Sequence, residues 1–219
     1  MCHVYVIHLK HRTDRKKQFL EAWPSTREHI HWFSAVLGSA LPDSTLATFP
    51  SRVTRNAKTR KARAGRAGCY LSHIAAIKKA IQLNHFPLLV LEDDALPSTD
   101  DVLRLEELFA TAPPAAALLY FGALPVKNRR RVTHFCHGSP GWRRTVAGTD
   151  LYGGHAYGFA TREHALEVLE FIEANRMTFD SALVRWTKTH RDRVAVYCPF
   201  LFKQASGFSN IEGAVRVER

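Results

Sequence analysis

A run of four apolar residues, LLVL at 88–91, constrains the fold of this chain more than any other feature. Side chains alternate between the two faces of a strand, so a strand with one solvent-exposed face has alternating apolar and polar residues. LLVL is apolar on both faces. A strand of that kind lies in the interior of a sheet that is covered on both sides. The run therefore predicts a central strand of a layered α/β fold.

The segments around LLVL alternate between strand and helix patterns. Ile74, Ile77 and Ile81 recur at helical spacing and predict a helix over 70–84. Further helices are predicted at 15–23, from Ser98 or Thr99, from Thr161 and near Asp180, and further strands at 4–9, 29–38, 116–123 and 194–202. This alternation is typical of an α/β sandwich with a mostly parallel central sheet.

The chain has 219 residues, which suits one domain. We expect a single domain over 1–219, with loop excursions at about 40–68 and 122–150, where the periodic pattern is lost. The stretch LYGGHAYGFA at 151–160 carries glycines that indicate a close approach of the backbone to another group.

The formal net charge of +11 is concentrated in clusters. Residues 52–68 contain seven Lys or Arg and no acid, and two smaller clusters lie at 129–131 and 143–144. Such clusters attract phosphates, nucleic acid or an anionic membrane surface. A solvated loop explains the first cluster equally well.

The cysteines and the apolar stretches predict a cytoplasmic protein. The four cysteines lie far apart without a CxxC pair, so we expect free thiols in a reducing compartment. The start, MCHVYVIHLKHR, has neither the basic region nor the cleavage site of a secretory signal. The longest apolar stretch, AAALLYFGALPV, is too short for a transmembrane segment.

Three carboxylates follow LLVL directly. Strand alternation places Glu92 and Asp94 on one side and Asp93 on the other. The carboxyl end of a central strand is the edge at which open α/β sheets bind ligands. Two close carboxylates repel unless a cation lies between them, and oxygen ligands suit Mg²⁺ or Mn²⁺. The alternative is an acidic turn in which Asp94 or Ser98 caps the next helix.

Several blocks of the chain resemble one known family. AGCYLSHIAAIKKAI followed by LLVLEDDALPS resembles the paired signature of the family 25 glycosyltransferases, which build lipopolysaccharide sugars in bacteria and add galactose to collagen hydroxylysine in animals. VIHLKHRTDR, LYGGHAYGFATREHA, FDSAL and CPFLFKQASGFSNI are similar to further blocks of that family, in the same order. One departure is Asn210, which stands where the closing block usually has an acid.

The resemblance implies a GT-A-type, Rossmann-like fold and a metal-dependent transfer of a hexose from a UDP-sugar, with galactose or glucose as the sugar and inversion at its anomeric carbon. Glu92 and Asp94 are then the Mn²⁺ or Mg²⁺ ligands, with Gln204 or water in place of the acid missing at Asn210. Asp180 is the candidate general base and Asp150 the reserve. Asp180 alternatively caps a helix.

The resemblance also implies a set of residues around the donor. Asp93 would reach the ribose or sugar hydroxyls, while Arg12 and Arg15 would contact the nucleotide or phosphate, unless they form only a solvated helix start. The remaining matched positions are Leu9 in the first block, Ser72 and His73 as support, and Gly154, His155 and Tyr157 as a wall near sugar or acceptor. Tyr157 as a plain core residue is the alternative.

The expected partners are a nucleotide-sugar donor and a glycan or protein acceptor. The basic clusters favour an anionic acceptor and are compatible with peripheral membrane contact. Two other functions compete: a nucleic-acid-binding protein or metal-dependent nuclease that uses the basic loops and the acids, and a relative of the family that has lost catalysis.

Overall fold

The computed structural model describes residues 1–23, 30–49, 59–127, 136, 138–145, 150–205, 207–209 and 214–216. Within these ranges the strands are β1 (His3–His8), β2 (Ile30–Ser34), β3 (Leu88–Glu92), β4 (Ala95–Pro97), β5 (Leu118–Lys127), β6 (Gly141–Arg144), β7 (Asp150–Phe159), β8 (Val194–Cys198), β9 (Phe202–Gln204), β10 (Gly207–Ser209) and β11 (Ala214–Arg216). The α-helices are α1 (Thr13–Ala22), α2 (Asp43–Thr48), α3 (Arg60–Leu83), α4 (Leu105–Ala110), α5 (Arg162–Asn175) and α6 (Phe179–Thr189).

Seven of these strands form one sheet in the order β2-β1-β3-β7-β5-β8-β6. β2, β1, β3, β5 and β8 run in one direction, whereas β7 and β6 run in the other. The predicted α/β fold with a mostly parallel central sheet is confirmed. Two ribbons, β4–β9 and β10–β11, are paired separately from this sheet.

The central strand predicted from LLVL is also confirmed. Leu88 and Val90 belong to the core that β3 shares with α3, α5 and α6, while Leu89 and Leu91 belong to the core on the side of α1 and α4. All four side chains are fully buried. Burial of each contributes about 1.5–3 kcal/mol, so the strand is fixed in the sheet from both faces.

The helix over 70–84 begins earlier than its sequence pattern predicts. α3 starts at Arg60, with Thr59 accepting a hydrogen bond from the Ala62 N–H at its cap. The basic residues at 60–68 are therefore helical, which corrects this part of the loop expected over 40–68. Gly68 counts against a helix in the sequence, but the fold requires it, because a Cβ there would lie 2.7 Å from the Val36 carbonyl oxygen. The glycine lets α3 pack on the segment after β2.

The glycine-containing stretch at 151–160 is a strand. β7 lies between β3 and β5 and is antiparallel to both. A Cβ at Gly158 would lie 2.6 Å from the Leu88 carbonyl oxygen, so glycine permits a close contact inside the sheet. The loop expected over 122–150 is likewise corrected at both ends, because β5 continues to Lys127 and β6 adds an edge strand beside β8. The basic cluster at 129–131 lies outside the described residues.

The cysteine prediction is wrong for one pair. Cys136 and Cys198 form a disulfide, because the fold brings residue 136 beside the end of β8. Cys2 and Cys69 remain thiols. Disulfides persist mainly in oxidising compartments, so the cysteines no longer support a cytoplasmic location, which stays a prediction. Within the described part of the chain, no helix combines the length and the apolarity needed to cross a bilayer.

Candidate active site

The three acidic residues lie where β3 ends. β3 stops at Glu92, Asp93 and Asp94 form a turn, and β4 begins at Ala95. β1, β2 and β3 are parallel, so this turn lies at the carboxyl edge of the sheet, as predicted. Asp93 and Asp94 are each only 5% exposed. Such buried acids require partners, since an unpaired buried charge is costly.

Asp93 is held by two basic groups from the start of the chain. Its N–H donates to the Ile7 carbonyl at 3.2 Å, which places Asp93 beside the end of β1. His8 Nδ1 lies 2.9 Å from Oδ2, and Arg15 Nη1 donates to Oδ1 at 2.7 Å. These contacts make Asp93 a support for Arg15, and its binding of a ribose or sugar hydroxyl stays a prediction.

The two arginines predicted to meet phosphate differ in their partners. Arg15 bridges two acids, because Nη1 also lies 3.0 Å from Asp94 Oδ2. Arg12 donates through Nε and Nη2 to the two oxygens of Asp14, at 2.9 and 2.8 Å. This hydrogen bonding lowers the pKa of Asp14 to about 2. Arg15 therefore contacts the acidic turn directly, whereas Arg12 is hydrogen-bonded to Asp14 at the start of α1 and interacts electrostatically with Asp93 and Asp94.

Gln204 bridges the other two acids. β9 pairs antiparallel with β4 and sets Gln204 opposite Ala95, next to the acidic turn. Its Nε2 lies 3.4 Å from Glu92 Oε2 and 3.4 Å from Asp94 Oδ1. Burial, reinforced by the negative charge of Glu92, raises the pKa of Asp94 to about 7. Arg15 and the Gln204 amide together thus offset only part of the cost of burying Asp94 beside Glu92.

His73 links the acids to the middle of the sheet. Its Nδ1 lies 3.0 Å from the Tyr157 hydroxyl and its Nε2 lies 3.3 Å from Glu92 Oε1. The ring stacks on Phe179 with centroids 4.0 Å apart. Burial lowers the pKa of His73 to about 4, so the imidazole is neutral at neutral pH. A neutral ring that accepts from Tyr157 and donates to Glu92 orients that carboxylate.

Asp180 lies in the first turn of α6 without capping the helix. The cap is Thr178, whose side chain accepts from the Ser181 N–H. Asp180 Oδ1 instead accepts from the Gly154 N–H at 3.1 Å. A Cβ on Gly154 would collide with this oxygen, so glycine is required for the contact. Because the adjacent Phe179 stacks on His73, Asp180 lies beside the residues that orient Glu92.

The other predicted site residues hold the framework. The Ser72 hydroxyl donates to the Gly68 carbonyl at 2.6 Å and accepts from the Val36 N–H at 2.8 Å. The Leu9 carbonyl accepts from the Arg12 N–H at 2.8 Å and closes the turn after β1.

The expected wall of His155 and Tyr157 is not formed by their side chains. His155 is 4% exposed and Tyr157 is fully buried, with its hydroxyl on His73. Burial raises the pKa of Tyr157 well above its usual value, so it remains a neutral phenol. Gly154 serves Asp180. Asp150 begins β7, but its side chain lies outside the described residues, as does Asn210.

Two residues near the acids were not predicted as site residues. His8 interrupts an apolar strand, and a polar residue at such a position is the sequence feature that points to a buried partner. Cys69 precedes His73 by four residues on α3, a spacing that puts both on one helix face. Cys69, His73 and Glu92 each bring one ligand atom within 4.8 Å of the others.

The donor atoms at the acidic turn fit a hard divalent cation. Glu92 and Asp94 supply carboxylate oxygens, and rotation of the Gln204 terminal amide would present its oxygen in place of Nε2. Such an oxygen set is the kind that Mg²⁺ and Mn²⁺ prefer. A softer ion would prefer the thiol and imidazole beside Glu92.

Residues 1–122 match the profile of glycosyltransferase family 25, described as LPS biosynthesis protein. Two similar curated proteins are each called Glycosyltransferase 25 family member. That of Anopheles gambiae is 31% identical over 98 residues, which are 43% of this chain and 17% of that protein. That of Aedes aegypti is 30% identical over 96 residues, or 42% and 16% of the two lengths. The matched part of the chain thus spans about a sixth of these relatives.

A solved structure, the mannose-1-phosphate geranyltransferase from Thermus thermophilus, aligns over 92% of this chain and 74% of its own. The TM-score is 0.35 and the identity is 15%, a similarity too low to bear on function.

Proposed function

This chain belongs to glycosyltransferase family 25, and we propose that it transfers a hexose from a UDP-sugar to a hydroxyl group of a glycan or protein acceptor. The observation that carries the proposal is the acidic turn at the carboxyl edge of the sheet. There Glu92 and Asp94 share the Gln204 amide, and the pKa of Asp94 is raised to about 7 although Arg15 lies 3.0 Å from it. A buried carboxyl group that stays in this state beside a second carboxyl group favours a cation-binding role.

Glu92, Asp94 and Gln204 would hold Mn²⁺ or Mg²⁺ in this proposal. The bound ion would act as a Lewis acid that stabilises the charge developing on the diphosphate of the donor. His73 keeps the Glu92 carboxylate in place through its Nε2, and the β4–β9 pairing keeps Gln204 beside it. The acids are therefore oriented before any ligand arrives, which reduces the ordering cost of binding.

Arg15 supplies a fixed positive charge next to this site. Its guanidinium is held on Asp93, which His8 holds from the other oxygen. Diphosphate oxygens that reach the acidic turn would meet this cation at close range. The chain would thereby balance the negative charge of a leaving nucleotide with a guanidinium group.

Asp180 is the proposed general base. Inversion in one step needs a base that takes the proton of the acceptor hydroxyl on the face opposite the leaving group. The bond from the Gly154 N–H and the capping of α6 by Thr178 fix Asp180 in position and leave the helix independent of it. The proposed donor sugar, galactose or glucose, would lie between this carboxylate and the acidic turn.

The acceptor is proposed to be anionic. The family description names lipopolysaccharide biosynthesis, and a charged, lipid-linked glycan fits a chain with a formal net charge of +11. Family membership accounts for the acidic triplet without a nucleic-acid substrate, so the nuclease alternative is not carried further.

A screen of nucleotide sugars tests the proposal. Mn²⁺ together with a UDP-hexose is expected to raise the melting temperature and to give slow, metal-dependent hydrolysis of the donor. Asp94→Ala should remove both effects, while Glu107→Ala, which removes an exposed carboxylate paired with Arg104, should keep both. Equal stabilisation of Asp94→Ala and the unaltered protein would show that the cation binds elsewhere.

A further inference from the structure

Three histidines meet at the opposite, amino edge of the same sheet. His3 opens β1, His31 lies on β2, and His85 lies between α3 and β3. Each presents one ring nitrogen within 4.8 Å of the nitrogens of the other two. All three are half-buried, so an ion from solvent can reach them. None of them takes part in the proposed transfer.

The nitrogens of two of these rings already have the spacing of a metal site. His3 Nδ1 and His31 Nε2 are 3.3 Å apart. Zinc bonds to imidazole of about 2.0–2.1 Å in a tetrahedron put two ligand nitrogens about 3.3 Å apart. The His85 ring stacks on His3 with centroids 4.1 Å apart, and its ring nitrogen lies within 4.8 Å of the other two. Binding of a shared ion therefore requires the His85 ring to turn out of the stack, so that its lone pair points at the ion.

Hydrogen bonds hold His3 and His85 at this edge of the sheet. The Tyr5 hydroxyl lies 2.9 Å from His85 Nδ1, so when that nitrogen donates to Tyr5 the Nε2 lone pair is available to a metal. The His3 N–H donates to the Pro87 carbonyl and the His85 N–H to the Ala80 carbonyl, each at 2.9 Å. The backbone thus ties β1, α3 and the segment before β3 together at this edge.

We propose that His3, His31 and His85 bind a zinc-type transition-metal ion, with water as the fourth ligand. Three imidazoles suit Zn²⁺, Co²⁺, Ni²⁺ or Cu²⁺ and are poor ligands for Mg²⁺ or Mn²⁺. His8 lies five positions after His3 on β1, which is about 17 Å along an extended strand. The site is therefore distinct from the acidic turn, and its ion links β1, β2 and the entry to β3.

Co²⁺ absorption spectroscopy on the whole chain tests the site. One equivalent of Co²⁺ is expected to give the visible bands of a four-coordinate ion without a thiolate charge-transfer band, and Zn²⁺ should displace it. His31→Asn and His85→Asn, made separately, should each weaken Co²⁺ binding by about tenfold or more. His164→Asn, on α5, is the matched control and should bind as the unaltered protein does.

Two checks keep the result decisive. Circular dichroism of each variant shows whether it is folded, and a Zn²⁺-soaked crystal measured at the zinc absorption edge locates the ion directly. Zinc at the three imidazoles supports the site. Unchanged Co²⁺ affinity in both folded variants, or a thiolate band that Cys69→Ser removes, would overturn it, since the latter places the ion beside His73 and Glu92.

Discussion

The two edges of the central sheet carry opposite chemistry on the same strands. At the carboxyl edge, Asp93 and Asp94 are buried and bonded to side chains from α1 and β9. At the amino edge, three half-buried imidazoles contact one another and Tyr5. β1 serves both edges, with His3 at one end and His8 at the other. Parallel strands bring like ends together, so one sheet can collect oxygen ligands at one edge and nitrogen ligands at the other.

The two edges differ in how much unfavourable electrostatic energy they contain. Glu92 and Asp94 remain close together although burial and mutual repulsion raise the pKa of Asp94 to about 7. Such an arrangement costs stability unless a ligand compensates, and local destabilisation of this kind is typical of functional sites. The histidine edge has no comparable conflict among its described residues. Substitutions at the carboxyl edge should therefore change activity, and substitutions at the amino edge should leave it intact.

Asp180→Asn should give the largest effect on the carboxyl-edge side. Loss of a general base typically lowers kcat by about 100- to 10,000-fold, while donor affinity should stay unchanged. Steady-state kinetics and UDP titration measure the two quantities. Thr178→Ala is the matched control, since removing the real helix cap costs about 1 kcal/mol of stability and should leave kcat near its original value. Full transfer by Asp180→Asn would reject Asp180 as the base.

Asp94→Asn should lower kcat by about 100- to 1,000-fold, because one charged ligand of the proposed cation is lost. The melting temperature should stay level or rise, since the amide removes the repulsion between buried Asp94 and Glu92, and Arg15 keeps its closer contact with Asp93. Calorimetry without added metal measures this. A clear fall in melting temperature would mean that the Asp94 charge stabilises the fold. It would contradict the statement that the carboxyl edge contains an electrostatic conflict that the amino edge lacks.

Arg15→Ala should destabilise the protein by about 2 kcal/mol, because the buried Asp93 would lose one of its two basic partners and keep His8. Arg12→Ala breaks a pair with exposed Asp14 and removes a charge that also attracts Asp93 and Asp94, and it should cost less than Arg15→Ala, about 1 kcal/mol. Urea unfolding of both variants compares them. Equal losses of unfolding free energy would show that the contacts of Arg15 with the acids stabilise the protein no more than those of Arg12.

His31→Asn should have the smallest effect on catalysis. Transfer measured with Mn²⁺ and a UDP-hexose should stay within about twofold of the unaltered protein, because the histidine edge lies at the far end of β1. Zn²⁺ affinity should fall in the same variant. A parallel loss of transfer would connect the two edges and remove the distinction between them.

The sequence predicts the parts of this molecule that depend on local patterns. LLVL places a central strand, and the three acids that follow it must lie at the sheet edge. Thr161 is predicted to begin a helix and does cap α5, accepting from the His164 N–H. In each case the evidence lies within a few neighbouring residues, where strand alternation and helix capping act.

Contacts between distant residues could not be predicted in the same way. His8 and Asp93 are 85 residues apart, and no pattern in either segment indicates that they pair. β7 is not predicted as a strand, because its glycines at 153, 154 and 158 lower strand propensity while they permit close contacts in the fold. The Cys136–Cys198 disulfide and the three-histidine edge also depend on segments that meet only in the folded chain.

Electron paramagnetic resonance of Mn²⁺ tests the cation at the acidic turn most directly. Free Mn²⁺ gives a sharp six-line signal that binding broadens, so titration with and without UDP yields the affinity of the ion. The unaltered protein should bind Mn²⁺ more tightly when UDP is present, and Asp94→Asn should lose that gain while His31→Asn keeps it. Mn²⁺–UDP binding by Asp94→Asn as tight as by the unaltered protein would contradict the assignment of Glu92 and Asp94 as cation ligands.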